Sequence, residues 1–132
     1  MSAFTPLQKA VFAVLAGDAA LTAMIGPDGV RDHAVTGIHR PCVQIVSIES
    51  RDASTASEPG EEHVLTLEAR TGEGGNLAAQ AIASRVRDLL DDADLALDGY
   101  ALVSIAHRRT KVGRDAKAKG HVAEMVFRVV TE

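Results

Sequence analysis

Asn76-Leu77-Ala78-Ala79-Gln80-Ala81-Ile82-Ala83-Ser84-Arg85-Val86-Arg87-Asp88-Leu89-Leu90-Asp91-Asp92 is the stretch on which the fold turns. At helical spacing, Ala78, Ile82, Val86 and Leu89, with Leu90 beside them, share one face, while Gln80, Ser84, Arg87, Asp88 and Asp91 fall largely on the others. An apolar helical face has to be covered. The only partners long enough are the strand-like segments on either side, 42–70 and 100–130, so a sheet layer under a helix layer is the natural solution.

The same logic extends outward along the chain. Thr5-Pro6-Leu7-Gln8 reads as a helix start, with Thr5 as cap, Pro6 in the first turn and Gln8 reaching back to complete a capping box. Leu7, Val11, Val14 and Leu15 form its inward stripe. Gly17 ends it, Asp18 caps a second short helix over 19–25, and Gly26-Pro27 stops that one. Beyond the Asp28-Gly29 turn, 30–34 is an optional short strand before a flexible stretch at 36–40. Cys42-Val43-Gln44-Ile45-Val46-Ser47-Ile48-Glu49 is rich in β-branched residues and reads as a strand. Residues 50–60 carry no large apolar side chain, which predicts a long exposed loop. In 62–70, His63, Leu65, Leu67 and Ala69 alternate with Val64, Thr66, Glu68 and Arg70, the period of a half-buried strand. Asn76 is the expected cap of the main helix; further strands are expected over 100–107 and 121–130, the last with Ala123, Met125, Phe127 and Val129 on one face. The fold class is therefore α+β: a single two-layer domain over 1–132. Its sheet is antiparallel and four-stranded, or five-stranded if 30–34 joins, with the long helix and the N-terminal helical pair on one face.

Composition narrows the function classes. A chain of 132 residues fits one core, and 46% hydrophobic with 24% charged residues is the balance of a folded soluble protein. No run approaches the ~18 apolar residues of a membrane span, so no membrane partner is expected. Lys9 lies inside the first helix and Gly17-Asp18 interrupts the apolar stretch, which argues against a secretory signal and for the cytoplasm of the producing cell. Cys42, the single cysteine, permits no internal disulfide and reads as a small buried hydrophobe. With no Trp, one Tyr and three Phe, the chain has few rings on which exposed bases could stack.

No residue pattern points to catalysis or to a cofactor. Gly72-Glu73-Gly74-Gly75 precedes a helix but lacks the Lys and Ser/Thr of a phosphate loop, and Glu73 would repel phosphate; turn geometry explains it. His33, His39, His63, His107 and His121 show no i, i+4 pair and no cysteine at zinc spacing, although two or three could meet at one sheet edge. Asp91, Asp92, Asp94 and Asp98 lack the alternation and closing Glu of a calcium loop and read as a solvated helix end. Ser47, Ser50, Ser54 and Ser57 sit in no nucleophile elbow. The expectation is no enzyme, no metal and no cofactor.

Charge is more telling. Between His107 and His121 the chain carries Arg108, Arg109, Lys111, Arg114, Lys117 and Lys119 against Asp115 alone, net +5 in a chain of −4, so the remainder carries −9. A basic hairpin tip on an acidic body can be solubilising, or it can meet an acidic partner surface, DNA phosphates, or the acidic body of a neighbouring subunit in a ring.

Several stretches together carry a family resemblance. They are the Leu7-Gln8 helix start, Pro41-Cys42-Val43-Gln44-Ile45 leading to a Ser/Thr-rich loop, Glu62-His63-Val64-Leu65-Thr66-Leu67, Ala81-Ile82-Ala83-Ser84-Arg85-Val86 with Leu89-Leu90, and His121-Val122-Ala123-Glu124-Met125-Val126-Phe127-Arg128. In order and texture the chain resembles the tail-completion or tail-terminator proteins of long non-contractile-tailed phages and gene transfer agents. That resemblance implies a structural virion protein at the head-proximal end of the tail, assembled in the host cytoplasm. Such a protein forms a hexameric ring that caps the tail tube, stops its polymerisation and joins it to the head connector or stopper protein. DNA passes through the lumen without sequence-specific binding. It also nominates two contact loops: one holding Arg51, Asp52, Ser54, Thr55 and Glu58, ordered on contact with a tube subunit or neighbour, the other holding Arg108, Arg109, Lys111, Arg114, Lys117 and Lys119. The competing class is a small ligand-binding or regulatory α/β domain, which needs a concave apolar pocket.

Overall fold

In the computed structural model, which describes residues 2–32, 41–72, 75–114 and 120–132, the chain runs α1 (Phe4–Ala16), α2 (Ala19–Ile25), β1 (Val30–Arg31), β2 (Cys42–Asp52), β3 (Glu61–Thr71), α3 (Gly75–Leu90), β4 (Leu102–Arg114) and β5 (His121–Thr131). One sheet has the order β1-β2-β3-β5-β4. Each of the four long strands is antiparallel to its long neighbours; short connections require this of β2–β3 and β4–β5, while the β3–β5 pair forms after the chain crosses over through α3 and β4. The optional strand exists as two residues, Val30 and Arg31, and pairs parallel with Val43 and Gln44 of β2. Residues 33–40, where the rest of that strand, the flexible stretch, His33 and His39 were expected, lie outside the described residues.

Alternation explains the layering. Leu65, Leu67 and Ala69 of β3 and Ala123, Met125, Phe127 and Val129 of β5 are buried against the helices, with Val43 and Ile45 of β2 and Ile105 of β4 continuing the same apolar layer. A bulge between Ile45 and Ser47 re-phases β2, which lets Ile48 return to the core side. Removing side chains such as Leu65, Leu67 and Phe127 from water contributes about 1.5–3 kcal/mol each.

The helices supply the cover. Leu7, Val11 and Leu15 of α1 and Leu21 and Ile25 of α2 point inward; Val14 is half-buried. In α3 the buried set is Ala79, Ile82, Ala83, Val86 and Leu90, rotated from the expected face, since Ala78 and Leu89 are half-buried. Two alanines at i, i+4 let the helix lie close on the sheet, which a purely periodic reading of large residues does not see. The helix also begins at Gly75, one residue before the expected cap Asn76.

The α1 start differs as well. Ala3, not Thr5, is the cap residue and makes no side-chain capping bond. Instead Glu61, from the start of β3, accepts from the Ala3 backbone N–H at 2.9 Å and from Ser2 Oγ at 3.0 Å, while Gln8 reaches Asp32 at 3.4 Å. A carboxylate at a helix N-terminus satisfies an orphan donor and opposes the helix dipole, and here it comes from far along the chain. Asp18 caps α2 as expected, accepting from Leu21 N–H at 2.9 Å; its carboxylate also takes two bonds from Arg85 of α3, at 2.7 and 2.9 Å. Arg85 and the Leu21 amide together hold the Asp18 carboxyl down at about 2.

Candidate protein-contact surfaces

The first nominated contact region is not a long loop. Ser50, Arg51 and Asp52 belong to β2, which runs on beside Glu61, Glu62 and His63 of β3, leaving only 53–60 as the connection. That connection is tied by its own polar groups. Asp52 Oδ1 accepts from Ser54 N–H at 2.9 Å and from Ser54 Oγ at 2.5 Å, Ala53 N–H donates to Gly60 O at 2.9 Å, and Glu58 N–H donates to Thr55 Oγ1 at 3.1 Å. The Ser54 bonds hold the Asp52 carboxyl below its ordinary range. Side-chain-to-backbone bonds of Asp, Ser and Thr thus order a segment whose lack of apolar residues suggested that only a partner could.

At the base of this hairpin, His63 is fully buried, bonded through Nδ1 to Ser50 Oγ and through Nε2 to Thr131 Oγ1 at 3.0 Å, with the Phe4 ring edge-on at 6.3 Å. Burial pushes its pKa down, so the ring is neutral. Beside it a shallow cleft of about 380 Å³ is bounded by Phe4, Arg51, Asp52, Pro59 and Tyr100. Its rim of ionised groups does not make the enclosed apolar pocket that a small-molecule binder needs.

The second region is not a loop either. Arg108, Arg109, Lys111 and Arg114 lie on β4, which continues seven residues past the expected end at 107 and pairs with β5 as far as Arg114↔His121. All four are exposed, and Arg109 reaches Glu124 at 2.9 Å. An outermost strand with water on one face and one edge needs little alternation, which is why its charges hid it. Lys117 and Lys119 fall outside the described residues. The helical end packs on only part of this strand: Asp92 N–H donates to Ile105 O and Asp91 Oδ1 accepts from His107 N–H, both at 2.9 Å.

The described histidines do not converge. His63 and Thr71, the partner of His121, stand at opposite ends of β3, about 27 Å apart at ~3.4 Å per residue. His107 instead packs edge-on against Phe127 at 5.5 Å and bonds Thr110 Oγ1 at 2.6 Å. Among the described residues no group of three or more His, Cys, Asp or Glu is placed to hold a metal. Cys42 is buried, and burial raises its thiol pKa.

Among the described residues nothing covers the sheet face away from the helices, and it carries a lattice of ion pairs. Glu62 is held between Arg51 at 2.9 Å and Arg128 at 3.0 Å, and Arg70 meets Glu68 at 2.6 Å. The Glu62–Arg128, Asp18–Arg85 and Glu61–Ala3 ties could not be read from sequence, since each joins elements far apart in the chain.

Comparison with known proteins places this architecture. Residues 9–132 match the model of a family described as tail completion protein gp17. Among solved structures, a chain of the virion of a native gene transfer agent particle is similar at 33% identity and a TM-score of 0.86, over 96% of this chain and 94% of that one. No curated protein sequence matches.

Proposed function

The chain belongs to the tail completion protein gp17 family, and from that premise we propose that it is a structural component of a phage-like tail, acting at the head-proximal end as a terminator. In this reading six copies form a ring that caps the tail tube, stops addition of tube protein and presents a surface to the head connector or stopper protein, with DNA passing through the lumen. The observation that carries it is the likeness, along nearly the full length of both chains, to a component of a gene transfer agent virion.

The geometry supports the details in kind. The described residues of the two regions nominated for contact sit on β2, its connection to β3, and β4, away from the core, and they differ in charge, which suits the head-to-tail contacts of a closed ring. The open sheet face balances its cations with Glu62, Glu68 and Glu124; facing a lumen, such a surface would let DNA slide rather than hold it. A non-catalytic role fits the separated histidines.

Light scattering on the purified full chain, alone and with its tail-tube protein, tests the reading. A hexamer, or a monomer that becomes a ring at tube ends and halts their growth, is expected. A monomer indifferent to the tube would overturn it in favour of the ligand-binding alternative.

A further inference from the structure

Each outer strand of the sheet keeps part of one edge open. β1 flanks β2 only at Val43 and Gln44, which leaves 46–52 with no neighbouring strand on that side among the described residues. β4 has β5 on one side, and on the other the Asp91-Asp92 turn reaches Ile105 and His107, leaving 108–114 with no neighbouring strand among the described residues. We infer that these two stretches pair with each other between copies of the chain: 108–114 of β4 in one copy adds antiparallel to 46–52 of β2 in the next, Lys111 beside Glu49, so that the sheet continues across the subunit boundary. The inference rests on the ring reading above and names the surfaces that build the ring.

Four features of the molecule favour this joint. Direction is the first. β2, β3, β5 and β4 alternate in sense across the sheet, so β4 runs opposite to β2, and copies related by rotation about an axis roughly along the strands meet antiparallel, like every other long-strand pair here.

Parity is the second. With Lys111 beside Glu49, both side chains lie on the open face, and two-residue periodicity then brings Val112 beside Ile48 on the helix side. Those two are among the partly buried hydrophobics at the margin of the core. Arg109 comes beside Arg51, but each is already held by its own carboxylate, Glu124 and Glu62.

Charge is the third. Residues 108–114 carry +4, while 46–52 carry Glu49 and Asp52 against Arg51, net −1, to which the adjoining connection adds Glu58. Four cations on an open edge repel a second copy of the same edge, which disfavours two-fold β4-to-β4 pairing and favours an acidic edge as partner.

Stagger is the fourth. Within one copy Lys111 is level with Glu124, Glu68 and Gln44, and Glu49, past the β2 bulge, is level with Val64, so bringing Lys111 beside Glu49 shifts the neighbour by the four residues from Glu68 to Val64, about 13 Å at ~3.3 Å per residue. Spread over four strand spacings of ~4.8 Å, that is a tilt of about 35°, at the lower end of the ~35–45° at which sheets close into barrels. The same shift carries the part of β4 covered by Asp91 and Asp92 past the end of β2, and ends β4 short of β1. Neither existing edge cover has to move.

The test is cross-linking of the full chain carrying both Glu49→Cys and Lys111→Cys, treated with a short bis-maleimide at the concentration used to measure its mass. The wild-type chain, with only the buried Cys42, serves as the blank. The expected result is a ladder of covalent oligomers up to the ring, with none from either single variant. A second pair, Ser47→Cys with Gly113→Cys, reads the same register one step along, and a Cβ at Gly113 meets nothing within 4 Å; it answers the question if the first pair fails to fold. Dimers from Lys111→Cys alone would show a two-fold joint and overturn the inference. Rings of correct mass that yield no ladder from either pair would overturn it while leaving the ring standing. A chain that stays monomeric with and without tube protein would remove both.

Discussion

The inner strands β3 and β5 and the outer strands β2 and β4 are of similar length and belong to one sheet, yet they are built differently. Along β3 and β5 every second residue is buried, from His63 to Thr71 and from Ala123 to Thr131. β4 buries only Ile105 along thirteen residues, and β2 buries only Cys42, Val43 and Ile45, all at one end. An inner strand has neighbours on both edges and helices on one face, so its side chains decide stability. An outer strand is freed from that duty over much of its length, and its side chains are available for recognition.

If that division holds, substitutions sort by strand. Phe127→Ala, in the middle of β5 and fully buried, removes the largest core side chain and should cost about 3–5 kcal/mol. Val112→Ala, on the same face of β4 but only partly buried, should cost about 1 kcal/mol. Chemical denaturation of the pair measures the contrast, and equal losses would break it. Next in size is Asp18→Ala, which removes the α2 cap and the tie to Arg85 and should cost about 1 kcal/mol, read from the same curves.

Acid sharpens the comparison further. His63 of β3 has a folded pKa depressed by burial, so the unfolded chain binds more protons once pH drops below about 6.5. Its contribution is complete above that value and is lost as pH falls toward the folded pKa; a melting temperature that declines from pH 7 to 5, and declines less in His63→Gln, is expected. Asp18 adds a later loss, between about 4 and about 2, as its depressed carboxyl protonates. Smallest of all in stability is Arg108→Glu with Lys111→Glu on β4, expected within about 0.5 kcal/mol of wild type because both are exposed. The same double variant should abolish ring formation, measured by light scattering. Stability lost together with assembly would show that the outer strand is structural after all.

The legibility of the chain follows the same line. Strands β3 and β5 and helix α1 stood out because one face of each is apolar at a fixed period, and their buried residues are the expected ones apart from the half-buried Val14 and the added Thr71 and Thr131, each one residue past the expected strand end. The family texture was readable for the same reason. At the periphery, Ser50, Arg51 and Asp52 read as loop because they are polar, yet pairing with Glu61, Glu62 and His63 makes them strand. Arg108 to Arg114 read as a basic loop, yet β5 supplies a hydrogen-bonding partner as far as His121. Of the nominated contact residues, Arg51, Asp52, Arg108, Arg109, Lys111 and Arg114 are exposed on β2 and β4, Ser54, Thr55 and Glu58 are exposed in the connection between β2 and β3, and Lys117 and Lys119 lie outside the described residues.

Sequence by itself determined which faces are apolar, hence the layer count, the α+β class and the absence of any local catalytic pattern, because periodicity and residue chemistry are local properties. Tertiary structure alone decided which strands lie outermost, how far each edge is covered, and that Glu61 caps α1 and Arg85 clamps the cap of α2. Those facts depend on which distant segments meet, and a polar residue becomes strand, cap or contact only when its partner arrives.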